Sequence, residues 1–324
     1  MIILIFVILT GLVFFLFSIE GRTWEVKGEP QPIRKTEEKL KKSPFSGVAC
    51  SDSEDRAFGV ILAQYPETMP LSSVSQADLV IEGPVDGPKG ISRLLAIYQC
   101  QKPKRIGSIR SARPFFVDLA LGFDLIFSSW GGCDTALSRI NTLSLDWLDA
   151  RVNPSGAFFR EKNIPAPHNG FTSFEGLKKA SKELGMRQKN KFTGYKFLSE
   201  NEIVLKDTSQ QIKINYYYPV KYVYDSKTGN YLRFWNGMKM IDRNTGKQVF
   251  AKNVVLMKTK IGVLSSGVAN VKVLGEGEAT IYQAGREIKG KWKKEKPNSK
   301  LTFFNQKGEE IRFVPGPIWI EIID

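Results

Sequence analysis

An α/β domain followed by a mostly antiparallel β domain, both behind an N-terminal transmembrane anchor, is the fold class that this sequence predicts. Three observations lead there. Residues 2–19 are uncharged and almost wholly apolar; up to residue 186 short apolar runs alternate with stretches of helical periodicity; beyond residue 201 many strand-like runs are punctuated by glycine-containing turns. Strands interleaved with helices point to an α/β layer, and short strands with frequent turns point to an antiparallel sheet. A chain of 324 residues with 42% hydrophobic content has room for two cores behind an anchor and a tether.

The anchor comes first in the chain. Residues 2–19 would span roughly 27 Å at ~1.5 Å per residue, close to the thickness of a bilayer core. No Lys or Arg precedes the run, and Phe17-Ser18-Ile19-Glu20 offers no small-residue cleavage site, so residues 1–20 read as a retained anchor or an uncleaved signal. Arg22, Lys27, Arg34 and Lys35 follow it, which by charge bias alone places that flank in the cytoplasm, although Glu20, Glu25 and Glu29 are mixed among them. Residues 21–55 are rich in Pro, Lys and Glu and poor in apolar residues, the composition of a flexible stalk.

Residues 56–186 form the expected α/β domain. Apolar runs at 58–63, 78–81, 92–98 and 124–127 read as buried strands, and helical patterns occupy 114–121, 135–141 and 174–184. Thr172 and Glu175 have the spacing of a capping box for the last helix. From 187 to 324 the strand-like runs are 216–218, 220–224, 231–235, 249–256, 268–274, 280–283, 301–304, 311–314 and 318–323. The turns Lys227-Thr228-Gly229, Asn236-Gly237, Asn244-Thr245-Gly246 and Gln306-Lys307-Gly308 separate them.

Charge is uneven along the chain. Residues 187–324 hold 25 Lys and Arg against 13 Asp and Glu, so a net +12 of the chain's +14 belongs to the β domain. Such a field attracts anionic headgroups, anionic wall polymers or nucleic acid, or simply keeps exposed strand faces soluble. No nucleic-acid motif accompanies it, and no nucleic-acid partner is expected. The three cysteines, Cys50, Cys100 and Cys133, permit at most one bridge, and no pair is favoured.

The densest chemistry lies in Arg110-Ser111-Ala112-Arg113-Pro114-Phe115-Phe116. Pro114 suits the first position of a helix, so two guanidinium groups and the helix's free amides would face one point where an anion is welcome. Alternatively, one arginine pairs with an internal carboxylate such as Glu82 or Asp118 and the other is solvated. The only histidine, His168, sits in the Pro165-Ala166-Pro167-His168-Asn169 loop, where it is either an acid, base or ligand, or a residue that holds the loop by hydrogen bonds. One histidine without a companion cluster makes no zinc site, so no metal and no cofactor are expected. Cys133 follows Gly131-Gly132 at a helix start, where amides would favour a thiolate that His168 could assist. Its plainer reading is a small residue fitted behind two glycines. Glu82 and Asp118 are a further candidate carboxylate pair.

These segments carry a family resemblance. Arg110 through Ala120, with Ser75-Gln76-Ala77-Asp78 and Glu82 before it and Ala166-Pro167-His168-Asn169 after it, resemble the YerB-like family of bacterial proteins described as lipoproteins. Tyr224-Asp225 through Arg233, Asp242-Arg243-Asn244-Thr245-Gly246, Asn253-Val254-Val255 and Gly285 through Trp292 are similar to the C-terminal domain of that family. The likeness spans roughly residues 57 to 323 and implies a two-domain, envelope-facing protein, with no reaction attached. It departs from the family at two points: no cysteine follows the apolar run, where a lipid would be attached, and Cys133 stands where the family tends to carry serine. The expectation is therefore a membrane-held chain with its folded domains outside. An anionic envelope ligand or membrane surface would be its partner, bound by Arg93, Arg110, Arg113, His168 and Asn169. The competing expectations are an envelope hydrolase or transferase that uses His168 with Cys133 or a carboxylate such as Glu82, and a scaffold with no small ligand.

Overall fold

The computed structural model describes residues 40–324. The expected anchor and the first part of the expected stalk lie outside these residues. No helix among the described residues is long and apolar enough to cross a membrane. A ten-stranded sheet organises the fold, in the order Thr302–Asn305, Arg286–Lys294, Gly275–Gln283, Asn253–Lys258, Ile318–Ile323, Leu79–Pro84, Ser92–Tyr98, Phe58–Ala63, Ile126–Ser129, Trp147–Asp149. Both predicted domains contribute to it. Their seam is the parallel pairing of Leu79–Pro84 with Ile318–Ile323, which sets Glu82 beside Glu321.

Alternation along the central strands fills two cores. Ile61, Ile81 and Leu95 face the helices Pro114–Gly122 and Asp134–Thr142, while Val60, Val80 and Leu94 face the helix Phe174–Glu183 and a second, five-stranded antiparallel sheet. Burial on both faces explains why these strands read as continuous apolar runs. The α/β character of the first part and the strand-rich character of the second agree with the expectation, although Asn253–Lys258 runs parallel to Ile318–Ile323.

Several local expectations are corrected or completed. Residues 40–55 are folded: Phe45 is fully buried against Phe192 and Phe123, and Ser46 Oγ donates to Asp78. A few apolar residues among many polar ones hid this tie from composition. Cys50 and Cys100 form a disulfide, which also removes Cys50 as a site of lipid attachment. The N-cap of the Phe174–Glu183 helix is Ser173, whose Oγ accepts from Gly176 N–H, whereas Thr172 ends a strand and donates to Ala157 O. Residues 216–218 form a bend, and the nine-residue strand Arg286–Lys294, interrupted by lysines, had no apolar run to announce it.

Most motif residues behave as internal stitching. The Asp242 carboxylate accepts the amides of Ser75 and Asn244, both at 2.8 Å, so it ties Ser75-Gln76-Ala77-Asp78 to its own turn. Asn253 exchanges two hydrogen bonds with the backbone of Val314. At the seam Arg233, wholly buried, bridges Glu82 and Glu321 while its guanidinium lies 4.1 Å from the centre of the Trp319 ring. Tyr222 donates to Glu321 at 2.6 Å, and Ser92 to Glu82 at 2.6 Å.

Two carboxylates facing one guanidinium cannot both keep a charge cheaply. Burial, then the Glu82 charge, pushes the Glu321 carboxyl up to about 8. The folded protein thus holds a proton that the unfolded chain releases near the ordinary value of 4.5. This group's contribution to stability is complete below that value and is lost as pH rises towards about 8. Glu321→Gln, which cannot ionise, is expected to flatten the pH dependence of the urea midpoint in that window. Parallel curves for both proteins would show that Glu321 is already ionised.

Candidate functional site

The candidate site forms where residues 107–113 cross the end of the central strands. Arg110 N–H donates to Ile61 O, Ile109 N–H to Gly170 O, and Ala112 N–H to Gly131 O, so this segment is fixed between the Phe58–Ala63 strand, the His168 loop and the Gly131 turn. Gly107 is required there, because a Cβ on it would lie 2.2 Å from the Phe171 ring. Arg113 then becomes the N-cap of the helix that begins at Pro114. Arg93 enters from the neighbouring strand, where it pairs in register with Ala63 and Gly83.

Arg93 and Arg113 meet at Ser111, and Arg110 lies close by. Arg93 Nη1 donates to Ser111 O at 2.6 Å and to its Oγ at 3.0 Å, and Arg113 Nη1 donates to the same Oγ at 3.1 Å. Both acceptor sites of that hydroxyl are thereby used, and its O–H is left to donate outward. Arg110 reaches Pro167 O at 3.3 Å and lies 5.8 Å from the centre of the Tyr65 ring. His168 packs its ring 5.2 Å from Tyr65 and receives a backbone-carbonyl hydrogen bond from Ser108 Oγ.

What the cluster lacks is an acid. Among the described residues no carboxylate lies within ion-pair distance of Arg93, Arg110 or Arg113. Glu82 is held by Arg233, and Asp118 by Arg139 at 2.6 Å. Neither arginine of the motif is therefore clamped by Glu82 or Asp118, and the two carboxylates are themselves held by different arginines. Burial, then Arg113 and Arg110, pulls the Arg93 guanidinium down to about 9, and burial lowers Arg113 as well. Arg93 is only 4% exposed, and the Nε atoms of all three arginines are buried without a partner. Like charges gathered around the buried Arg93, offset in part by the more distant Asp86, become more favourable when an anion arrives.

His168 is lowered from its ordinary value by burial and then by Arg110, so its imidazole is neutral at pH 7, with a buried Nδ1 that has no partner. It is suited to accept or donate one hydrogen bond there. Asn169 Oδ1 accepts from Arg160 at 2.6 Å. Cys133 is the N-cap of the Asp134–Thr142 helix, half-buried, with Sγ 3.3 Å from Thr135 Oγ1. No hydrogen bond joins it to His168. No group of three or more metal-ligating side chains occurs among the described residues. Ser111 was missed by sequence reading, although its position between two arginines was the available signal.

Residues 45–187 match the profile described as "Protein of unknown function (DUF3048) N-terminal domain", and residues 211–320 match its C-terminal domain. The chain is 31% identical over 304 residues to the Bacillus subtilis (strain 168) protein described as "Putative lipoprotein YerB", covering 89% of this chain and 87% of that one. The crystal structure of the YerB protein from Bacillus subtilis superposes with a TM-score of 0.78 at 30% identity, over 87% of this chain and 96% of the other. The fold thus coincides over most of both chains, and this chain belongs to the YerB family, the proteins built from the two DUF3048 domains.

Proposed function

We propose that this chain is a membrane-associated, extracytoplasmic binding protein whose ligand is anionic and is held by Arg93, Arg110 and Arg113, with Ser111 and His168 as further donors. The observation that carries this reading is that no carboxylate among the described residues is ion-paired with these arginines. The buried Arg233 has two acids bonded to it inside the fold, whereas Arg93, Arg110 and Arg113 have no ion-paired carboxylate among the described residues and feel only the more distant Asp86. The amides at the start of the Pro114–Gly122 helix add a partial positive charge in the same direction. The apolar run at residues 2–19 and the description of the Bacillus relative as a lipoprotein support the location. The exposed lysines 289, 291 and 293, on one face of their strand, would add weaker attraction to an anionic surface.

The experiment is thermal unfolding of the full chain in rising inorganic phosphate, against chloride at equal ionic strength. A specific site raises the midpoint by mass action, equivalent to about 2.7 kcal/mol at a hundredfold excess over Kd. Equal midpoints in phosphate and chloride would leave the cluster without a small anionic ligand.

A further inference from the structure

His168 is the chain's one imidazole, and the fold sets it beside Arg110. Its ring centre lies 5.2 Å from that of Tyr65, and the Arg110 guanidinium lies 5.8 Å from the same ring. Two hydrogen bonds tie the two segments together on either side of the histidine. Arg110 Nη1 donates to Pro167 O at 3.3 Å, and Ile109 N–H donates to Gly170 O at 2.8 Å. Between them Ser108 Oγ donates to the His168 carbonyl.

Two charged groups act on the imidazole across these contacts. Arg110, on the segment 107–113, opposes its protonation, and the exposed Glu67, on the turn Pro66–Thr68, offsets part of that effect. On the histidine's own loop, the neighbouring Asn169 is bonded to Arg160 at 2.6 Å. Burial comes first and Arg110 second in keeping the imidazole neutral at pH 7. An anion bound to the arginines cancels the second effect and adds an attraction of its own, and an opposite charge within about 4–6 Å moves a titrating group by about 1–3 pH units. Nδ1 is buried with no partner in the fold, so a proton added there breaks no existing bond.

We infer that anion binding at this site takes up a proton on His168, so that the protein holds its ligand more tightly in mildly acid surroundings than at neutral pH. The inference rests on the anion reading above and adds its regulation. The proton comes from solvent, the bond formed is an imidazole N–H, and no other covalent bond changes. Binding and protonation favour each other by the same factor, whichever is measured. An imidazole is the side chain that ordinarily changes charge between about pH 5 and 8, and this chain has a single one to which the change is assigned.

Sulfate is the probe, because unlike phosphate it keeps its full charge over this range. Two measurements on the full chain test the coupling: NMR titration of the single imidazole with and without saturating sulfate, and calorimetric sulfate affinity at about pH 7.5 and about pH 5.5 in the wild type and in His168→Gln. Sulfate is expected to raise the imidazole midpoint by at least about one pH unit, and the wild-type affinity should rise about fivefold or more between the two pH values. His168→Gln cannot take up the proton, so its affinity should change by less than about twofold over the same interval, whatever its value at neutral pH. An unchanged imidazole midpoint with sulfate bound overturns the coupling and leaves the anion site standing. A pH dependence as steep in His168→Gln as in the wild type places the proton on another group and overturns it as well. Absence of saturable sulfate binding at both pH values removes the anion site itself, and the coupling with it.

Discussion

Arg233→Met is expected to destabilise the protein by about 3–5 kcal/mol, the cost of stranding buried charge when one partner of an internal ion pair is removed. Arg233 is wholly buried between Glu82 and Glu321, and Trp319 and Tyr222 flank its guanidinium. Without it, a carboxylate charge is left buried and uncompensated beside the protonated Glu321, and the seam between the Leu79–Pro84 and Ile318–Ile323 strands loses its charge balance. Adding Glu82→Gln and Glu321→Gln to Arg233→Met should recover much of the loss, because uncharged side chains of similar volume are tolerated there. Urea denaturation measures both. A loss under about 1 kcal/mol for the single substitution would mean that the seam does not depend on this ion triad.

Arg93→Met should behave in the opposite way, although Arg93 is nearly as buried. Its charge has no ion-paired acid, feels Asp86 only at a distance, and is repelled by Arg113 and Arg110. The expected change in stability is within about 1 kcal/mol of the wild type, since the hydrogen bonds lost to Ser111 are offset by relief of repulsion. Anion affinity should fall by at least about tenfold, the value of a charge-assisted hydrogen bond of about 1.5–3 kcal/mol. The contrast between two buried arginines separates a residue kept for the fold from one kept for a ligand. A loss of 3–5 kcal/mol in Arg93→Met, equal to that of Arg233→Met, would make the cluster a structural clamp.

Periodicity carried much of the fold because the central strands are buried on both faces and the three helices have clear apolar patterns. Its failures have physical causes. Arg286–Lys294 alternates lysines with Gly290 and the buried Trp292, so only its partners on either side identify it as a strand. Residues 40–55 are held by Phe45, Ser46 and the Cys50–Cys100 bridge, long-range ties that composition does not reveal. At the site, the arginines were legible as donors, and the convergence of Arg93 with Arg110 and Arg113 came from the strand register. The absence of an acid was not legible, because Glu82 and Asp118 are close enough in sequence to have served. Their capture by Arg233 and Arg139 depends on contacts across the sheet and between helices.

Isothermal titration of inorganic phosphate into the full chain at low ionic strength, wild type beside Arg93→Met, tests the anion site most directly. Saturable binding with one phosphate per chain is expected for the wild type, with at least about a tenfold loss in the variant and no matching loss of stability. Absence of saturable binding in the wild type, or the same affinity in both proteins, would contradict a site built on these three arginines.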